Sequence, residues 1–248
     1  MSESGKVYIV GGGPGDLELI TVKGLKLVRE ADVILYDRLA PREVLKEAKP
    51  EAVLIDVGKK PGGEGFSQEE INEMLVEYAR KGLKVVRLKG GDPYVFGRGE
   101  EECIFVRSRG IECEVVPGVP SFIAAAVRGG IPLTSRGLSS SFAVVTGQED
   151  PKKGFKSVNL AKIASAVDVV VVLMGVSRAK EILEEIASVR GYEEPAAVVI
   201  RATMEGEKII VGTIKDLLEA VERGELENPA VIIIGKTVTL HEKLMGRS

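Results

Sequence analysis

Apolar positions along the 248-residue chain fall into short β-branched runs separated by amphipathic stretches. In the first half, Lys6–Val10, Asp32–Tyr36, Ala52–Val57, Lys84–Lys89 and Glu112–Val116 read as strands. Between them, Ile20–Glu30, Ser67–Arg80 and Glu100–Arg109 carry helical periodicity. The segment from Ser67 is the best defined: Ser67 and Glu70 have capping-box spacing, Ile71, Met74, Leu75 and Tyr78 share one face, and Gly82 ends it. Strict alternation of this kind predicts a largely parallel sheet with helices on its faces.

Pro117 and Gly118 punctuate the chain, and a small-residue helix, Ser121–Val127, leads into Gly129-Gly130-Ile131-Pro132. A boundary near here predicts two α/β domains, 1–118 and 119–248. The second half has strand patterns at Ser141–Thr146, Asp168–Met174, Ala197–Arg201, Lys208–Val211 and Ala230–Ile234, with helices at Asn159–Ala166, Arg178–Val189 and Ile214–Arg223. The short turn at Met204–Glu207 implies a hairpin, so this second sheet is expected to be mixed.

Composition narrows the chemistry. The formal charge of −3 provides no global basic field for nucleic acid. The apolar runs are too short to span a bilayer, and the polar start lacks a secretory pattern, so a cytoplasmic protein is expected. The two cysteines, Cys103 and Cys113, read as small core residues more readily than as a redox pair. One histidine, His241, argues against a Ser-His-Asp triad and against a His-rich metal site. Catalysis must then use carboxylates, lysine, arginine, hydroxyls or backbone groups, and no metal is expected.

Several strands run into glycine: Val10 into Gly11-Gly12-Gly13, Lys89 into Gly90-Gly91, Met174 into Gly175 and Ile234 into Gly235. Ligands of open α/β sheets bind beyond the carboxyl ends of strands, so these glycines suit a shared crevice, although each alone could serve a tight turn. The first loop begins like a dinucleotide fingerprint but has Asp16 at the third glycine position, where a carboxylate would oppose a pyrophosphate. The run Gly90 to Gly99 is the most specific segment: two glycines, Asp92, a proline turn and apolar Val95 suit a zwitterionic, nucleoside-bearing ligand.

These motifs carry a resemblance. Val10–Asp16, Ala31–Leu39, Val57–Lys59, Val86–Gly99, Val116–Gly118, Gly130–Pro132, Arg136–Leu138 and Pro229–Ala230 occur in the order found in the tetrapyrrole methylase family, over nearly the whole chain. The resemblance implies two α/β domains of that type with S-adenosylmethionine in the cleft between them. It also implies a homodimer and methylation of uroporphyrinogen III at C2 and C7, giving precorrin-2 by way of precorrin-1. Carried over by motif, the cofactor contacts are Pro14, Gly90, Gly91, Asp92, Val95, Pro120, Ser121, Met174 and Ala202. Asp37 and Lys59 fall on the acid/base pair. For a substrate with eight carboxylates, Arg38, Lys60, Arg98 and Arg136 are the candidate anchors, since arginine grips carboxylates bidentately. The chain departs from the pattern at Pro120, where a threonine is common, at Ala202, where glycine is common, and at Ser135 and Gln148, where histidines are frequent. The open alternatives are another member of the family, acting on a later corrin intermediate or as a diphthine synthase, and, in a different class, a nicotinamide-dependent oxidoreductase.

Overall fold

β-Branched runs joined by amphipathic helices leave a chain little choice but to stack strands in parallel and cover both faces. The computed structural model describes residues 5–58, 65–148 and 158–246, in two units, Met1–Ser121 and Phe122–Ser248. In the first unit β1 (Lys6–Gly11), β2 (Val33–Tyr36), β3 (Val53–Asp56), β4 (Val85–Lys89) and β5 (Glu112–Val116) form one sheet in the order β3-β2-β4-β1-β5. All of its pairings are parallel. Helices α1 (Val22–Glu30) and α2 (Arg42–Leu45) pack beside Val10, Ile34, Val86 and Leu88. Helices α3 (Gln68–Arg80) and α4 (Gly99–Ser108) pack beside Val7, Ile9, Val33, Leu35 and Val85 on the opposite face. The α3 start forms as its spacing predicts: the Ser67 hydroxyl accepts from the Glu70 N–H, and Glu70 accepts from the Ser67 N–H.

The second unit contains α5 (Ser121–Arg128, which begins at the unit boundary), β6 (Phe142–Thr146), α6 (Leu160–Ala166), β7 (Val169–Leu173), α7 (Ala179–Arg190) and β8 (Pro195–Ile200). It continues with β9 (Lys208–Thr213), α8 (Ile214–Glu222), β10 (Ala230–Ile234) and α9 (His241–Met245). The sheet order is β6-β7-β10-β8-β9; β6 and β7 are parallel and the other pairings antiparallel, including the β8–β9 hairpin. Leu183, Ile186, Ile214 and Leu217 from α7 and α8 are buried on the Val170, Val172, Val198 and Ile232 face. Each such side chain is worth about 1.5–3 kcal/mol of burial. His241 is buried and donates from Nδ1 to the Gly129 carbonyl oxygen at 2.6 Å, which gives the lone histidine a packing role.

One expectation is corrected. Cys103 and Cys113 are buried, as read, but they are joined in a disulfide. The turn after α4 folds the chain straight back into β5, so residues ten apart come to a Cα–Cα distance of 5.7 Å, within bridging reach.

Candidate active site

Because the first sheet is wholly parallel, the carboxyl ends of its five strands share one edge. The loops leaving that edge are locked together by backbone contacts. Gly13 and Gly91 exchange N–H···O bonds at 3.2 and 2.7 Å, and the Gly12 N–H donates to the Lys89 carbonyl at 2.7 Å. A Cβ at Gly118 would lie 2.2 Å from the Gly91 carbonyl oxygen, so only glycine lets the β5 loop approach the β4 loop this closely. Gly91 itself has φ +64°, in the left-handed region, and its open side faces Pro120 and Ser121. The loop after β2 completes the edge: Gly90 abuts Leu39, and Gly58 abuts Arg38.

Pro14, Asp37, Arg38, Gly90, Gly91, Asp92, Pro120 and Ser121 thus all belong to the loops of this edge. Val95 lies in the turn that follows, where its N–H donates to the Asp92 carbonyl at 3.3 Å. Asp92 has a use the sequence did not disclose. Its Oδ1 accepts from the Tyr94 N–H at 2.8 Å and its Oδ2 from the Gly118 N–H at 3.0 Å. The carboxylate therefore ties the β4 loop to the β5 loop, and any ligand contact is made by lone pairs left over from that tie. Arg98 occupies the start of α4 and is engaged twice by Glu101, at 3.0 and 2.6 Å, which weakens it as a substrate anchor. Arg38 and Arg136 are exposed and form no ion pair among the described residues. Lys59 and Lys60 lie outside the described residues.

Asp37 sits one residue past β2, and the parallel register places it beside Lys89 on the face that also carries Arg87. Arg87 Nη2 donates to Asp37 Oδ2 at 3.1 Å, with Lys89 Nζ 4.0 Å from the same oxygen. Arg87 Nε and Lys89 Nζ both reach Glu102 Oε1, at 3.0 and 3.1 Å, and Gln68 Nε2 joins them at 3.1 Å. Arg87 is 3% exposed, Lys89 5% and Glu102 0%. Burial, and next the charge of Arg87, hold the Lys89 ammonium below the usual lysine range, against the opposing pull of Glu102 and Asp37. Sequence reading missed this cluster. Its signal is two cations at period two inside an otherwise apolar strand, Val85-Val-Arg-Leu-Lys89.

In the second unit β6, β7 and β8 point the same way, so Gly147, Met174 and Arg201–Ala202 leave one edge of that sheet. Met174 and Arg201 have φ of +54° and +49°, a left-handed conformation that costs non-glycine residues about 1–3 kcal/mol and concentrates at functional positions. Met174 is 45% exposed, so it is not the core residue its strand position alone would suggest. Nothing in the sequence signals these two dihedrals.

Asp16 caps a 3₁₀ turn at Leu17–Leu19, and α1 starts only at Val22. The first loop therefore does not present a long helix N-terminus to a pyrophosphate, as a dinucleotide would require. Among the described residues, no three His, Cys, Asp or Glu side chains are grouped as metal ligands.

Comparison with known proteins adds identity to this geometry. The family profile described as Tetrapyrrole (Corrin/Porphyrin) Methylases matches residues 6–218. A uroporphyrinogen-III C-methyltransferase of Methanocaldococcus jannaschii is 45% identical over 239 residues, covering 96% of this chain and 98% of that one. The structure of a uroporphyrin-III C-methyltransferase of Thermus thermophilus complexed with S-adenosylhomocysteine matches with a TM-score of 0.78 and 42% identity, over 95% of this chain and 100% of that one. A cobalt precorrin-4 methyltransferase matches with a TM-score of 0.85 and 31% identity, over 94% and 95% of the two chains.

Proposed function

The chain belongs to the tetrapyrrole methylase family, and from that premise we propose that it is an S-adenosylmethionine-dependent enzyme that methylates uroporphyrinogen III at C2 and C7, giving precorrin-2 by way of precorrin-1. The carrying observation is that the family match runs through a glycine-lined sheet edge at which a carboxylate is held in place. The residues suit the cofactor. Gly90 and Gly91 bare the backbone at the end of β4, Asp92 fixes their loop, and Pro120 and Ser121 adjoin Gly91. Met174 and Ala202 are the assigned contacts from the second unit.

When bound, S-adenosylmethionine supplies an electrophilic methyl group on a sulfonium. The protein's main task is then orientation of an electron-rich pyrrole carbon, a contribution of about 7–11 kcal/mol when reacting groups are well aligned. Asp37 takes the proton that the tetrapyrrole loses once the new carbon–carbon bond exists. Lys59 is its assigned partner, donating a proton or holding a propionate. Arg38, Lys60 and Arg136 receive the carboxylates, with Arg98 in reserve because Glu101 already engages it. The family resemblance also supports a homodimer, and the short apolar runs of the sequence support a cytoplasmic location. Among the described residues, no helix is long and apolar enough to cross a membrane.

A second reading, methylation of a later corrin intermediate, is favoured by the higher TM-score to the precorrin-4 enzyme, 0.85 against 0.78. Identity favours the first, at 42% against 31%, and identity bears more directly on the loops that hold substrate. Anaerobic incubation with S-adenosylmethionine and uroporphyrinogen III, followed by mass analysis, separates the two. Gain of two methyl groups is the expected result, and no gain with this substrate overturns the assignment.

A further inference from the structure

Asp37 does not meet its neighbours symmetrically. Oδ2 faces Arg87 Nη2 at 3.1 Å and Lys89 Nζ at 4.0 Å, while Oδ1 is shielded and has no hydrogen-bond partner. All three nitrogens of the Arg87 guanidinium are engaged. Its Nε donates to Glu102 Oε1 at 3.0 Å, and its Nη1 donates to the carbonyls of Leu88 at 3.2 Å and Leu35 at 3.5 Å. Leu35 lies on β2, two residues before Asp37. Arg87 thus grips both the β2 backbone and the carboxylate at its end. A planar fork is suited to spanning two carboxylates and two carbonyls at once, which an ammonium is not.

We propose that Arg87 is a positioning residue for methyl transfer: it clamps Oδ2 of Asp37 and so fixes the carboxylate at the end of β2, with Glu102 anchoring the clamp from α4. This rests on the assignment of Asp37 as the base. A buried cation is costly to maintain unless its partners are complete, and Glu102, wholly buried on α4, supplies the compensating charge. Lys89 reinforces the field without the same reach. Among the described residues, the charged groups around Asp37 are Arg87 and Lys89 on β4 and Glu102 on α4; α3 contributes the amides of Gln68 and Asn72. Asp56 on β3 pairs with Arg42 and lies level with Tyr36, one pleat away and on the opposite face.

The test is single-turnover methyl transfer to uroporphyrinogen III as a function of substrate concentration, for wild type, Arg87→Met, Arg87→Lys, Asp37→Asn and the double variant of Arg87→Met with Asp37→Asn. S-adenosylhomocysteine affinity and melting are measured alongside. Arg87→Met is expected to slow transfer at saturating substrate about 10²-fold, the usual consequence of a displaced reacting group, with little change in the substrate concentration needed for half-saturation. Cofactor affinity should stay within about twofold. The double variant should be no more than about threefold slower than Asp37→Asn, because both changes disable one device. A wild-type rate in Arg87→Met, or slowing that multiplies in the double variant, overturns the clamp while leaving the base assignment intact. A wild-type rate in Asp37→Asn alone overturns the base assignment and the clamp with it. Should Arg87→Met not fold, Arg87→Lys decides: it keeps the charge but not the fork, so transfer should be slower than wild type at unchanged cofactor affinity, and a wild-type rate refutes the proposal.

Discussion

The two sheets end in unlike ways at the edges that carry the candidate residues. In the first unit the strand ends are polar and backed by buried charge: Arg87 and Lys89 lie inside β4, with Glu102 beneath them and Asp37 at the rim. In the second unit β7 is entirely apolar, Val169-Val-Val-Val-Leu173, and the residues that leave β7 and β8 are set by backbone conformation, with Met174 and Arg201 both left-handed. One edge holds the proposed base by electrostatics. The other shapes a surface by strain. Proton transfer requires the first arrangement and packing against an adenosyl or methionyl portion requires only the second, so the chemistry should fail on changes in the first unit and the fit on changes in the second.

The largest expected break comes from Asp37→Asn. The amide keeps the shape and can still accept from Arg87, but it lacks a basic oxygen. Methyl transfer should slow about 10²–10⁴-fold, the range for loss of a positioned base. Melting and S-adenosylhomocysteine affinity should remain near wild type, since the side chain is 28% exposed at a strand end and lies outside the packed core. A stopped-flow or quench measurement of a single turnover reads the chemical step directly.

Backbone-level changes should divide along the same line. Gly118→Ala forces a Cβ to within 2.2 Å of the Gly91 carbonyl oxygen, and both partners are backbone held by neighbouring strands. Overpacking of this kind costs about 1–3 kcal/mol, so the denaturation midpoint should fall, and cofactor affinity with it because the Asp92 tie is pulled apart. Met174→Gly should do the reverse to stability. It relieves a left-handed dihedral, offset by the added freedom of the unfolded chain, for a net change within about 1 kcal/mol in the stabilising direction. Cofactor affinity should nevertheless drop. Destabilisation well beyond that figure would identify Met174 as a packing residue after all.

The difference between the edges also explains what the sequence could reveal. Features that are local survive in one dimension. The Ser67–Glu70 capping box, the β8–β9 hairpin and the strands Glu112–Val116 and Ala230–Ile234 formed as the pattern predicts. The short helices Arg42–Leu45 and His241–Met245 went unseen because four or five residues cannot express a 3.6-residue period. The buried cluster depends on a register between strands 50 residues apart in sequence, and the disulfide depends on how tightly α4 turns into β5. For Asp92, the dipeptide with Pro93 suggested either a turn or a ligand contact; its ties to Tyr94 and Gly118 show that the turn is made, and through the second tie it also joins two loops. The positive φ at Met174 was not legible at all, because no residue preference announces it.

The smallest expected effect lies at the opposite ends of the sheets, where the two units resemble each other. Asp32 precedes β2 and accepts from the Lys84 N–H just ahead of β4, at 2.7 Å. Asp168 precedes β7 and accepts from the Ser140 and Ser141 N–H groups just ahead of β6, at 2.8 and 3.1 Å. Each carboxylate steadies the lead-in of a neighbouring strand, and each is held below the ordinary aspartate range. For Asp32 the leading cause is the Lys49 ammonium, and for Asp168 it is the Ser140 N–H. A folded-state value below the unfolded one means that the folded protein binds its proton less readily. The stabilisation is therefore complete above the unfolded value of about 3.9 and vanishes as pH falls through the depressed folded value. Melting curves from pH 6 down to pH 3 should show wild type losing stability faster than Asp168→Asn, with the gap between them closing toward the acid end. Asp32→Asn should behave likewise, but its gap should also shrink with added salt, because an ammonium is its main partner where Asp168 relies on amide and hydroxyl donors. A gap for Asp168→Asn that stays constant over the whole range would mean that its carboxylate contributes through shape alone.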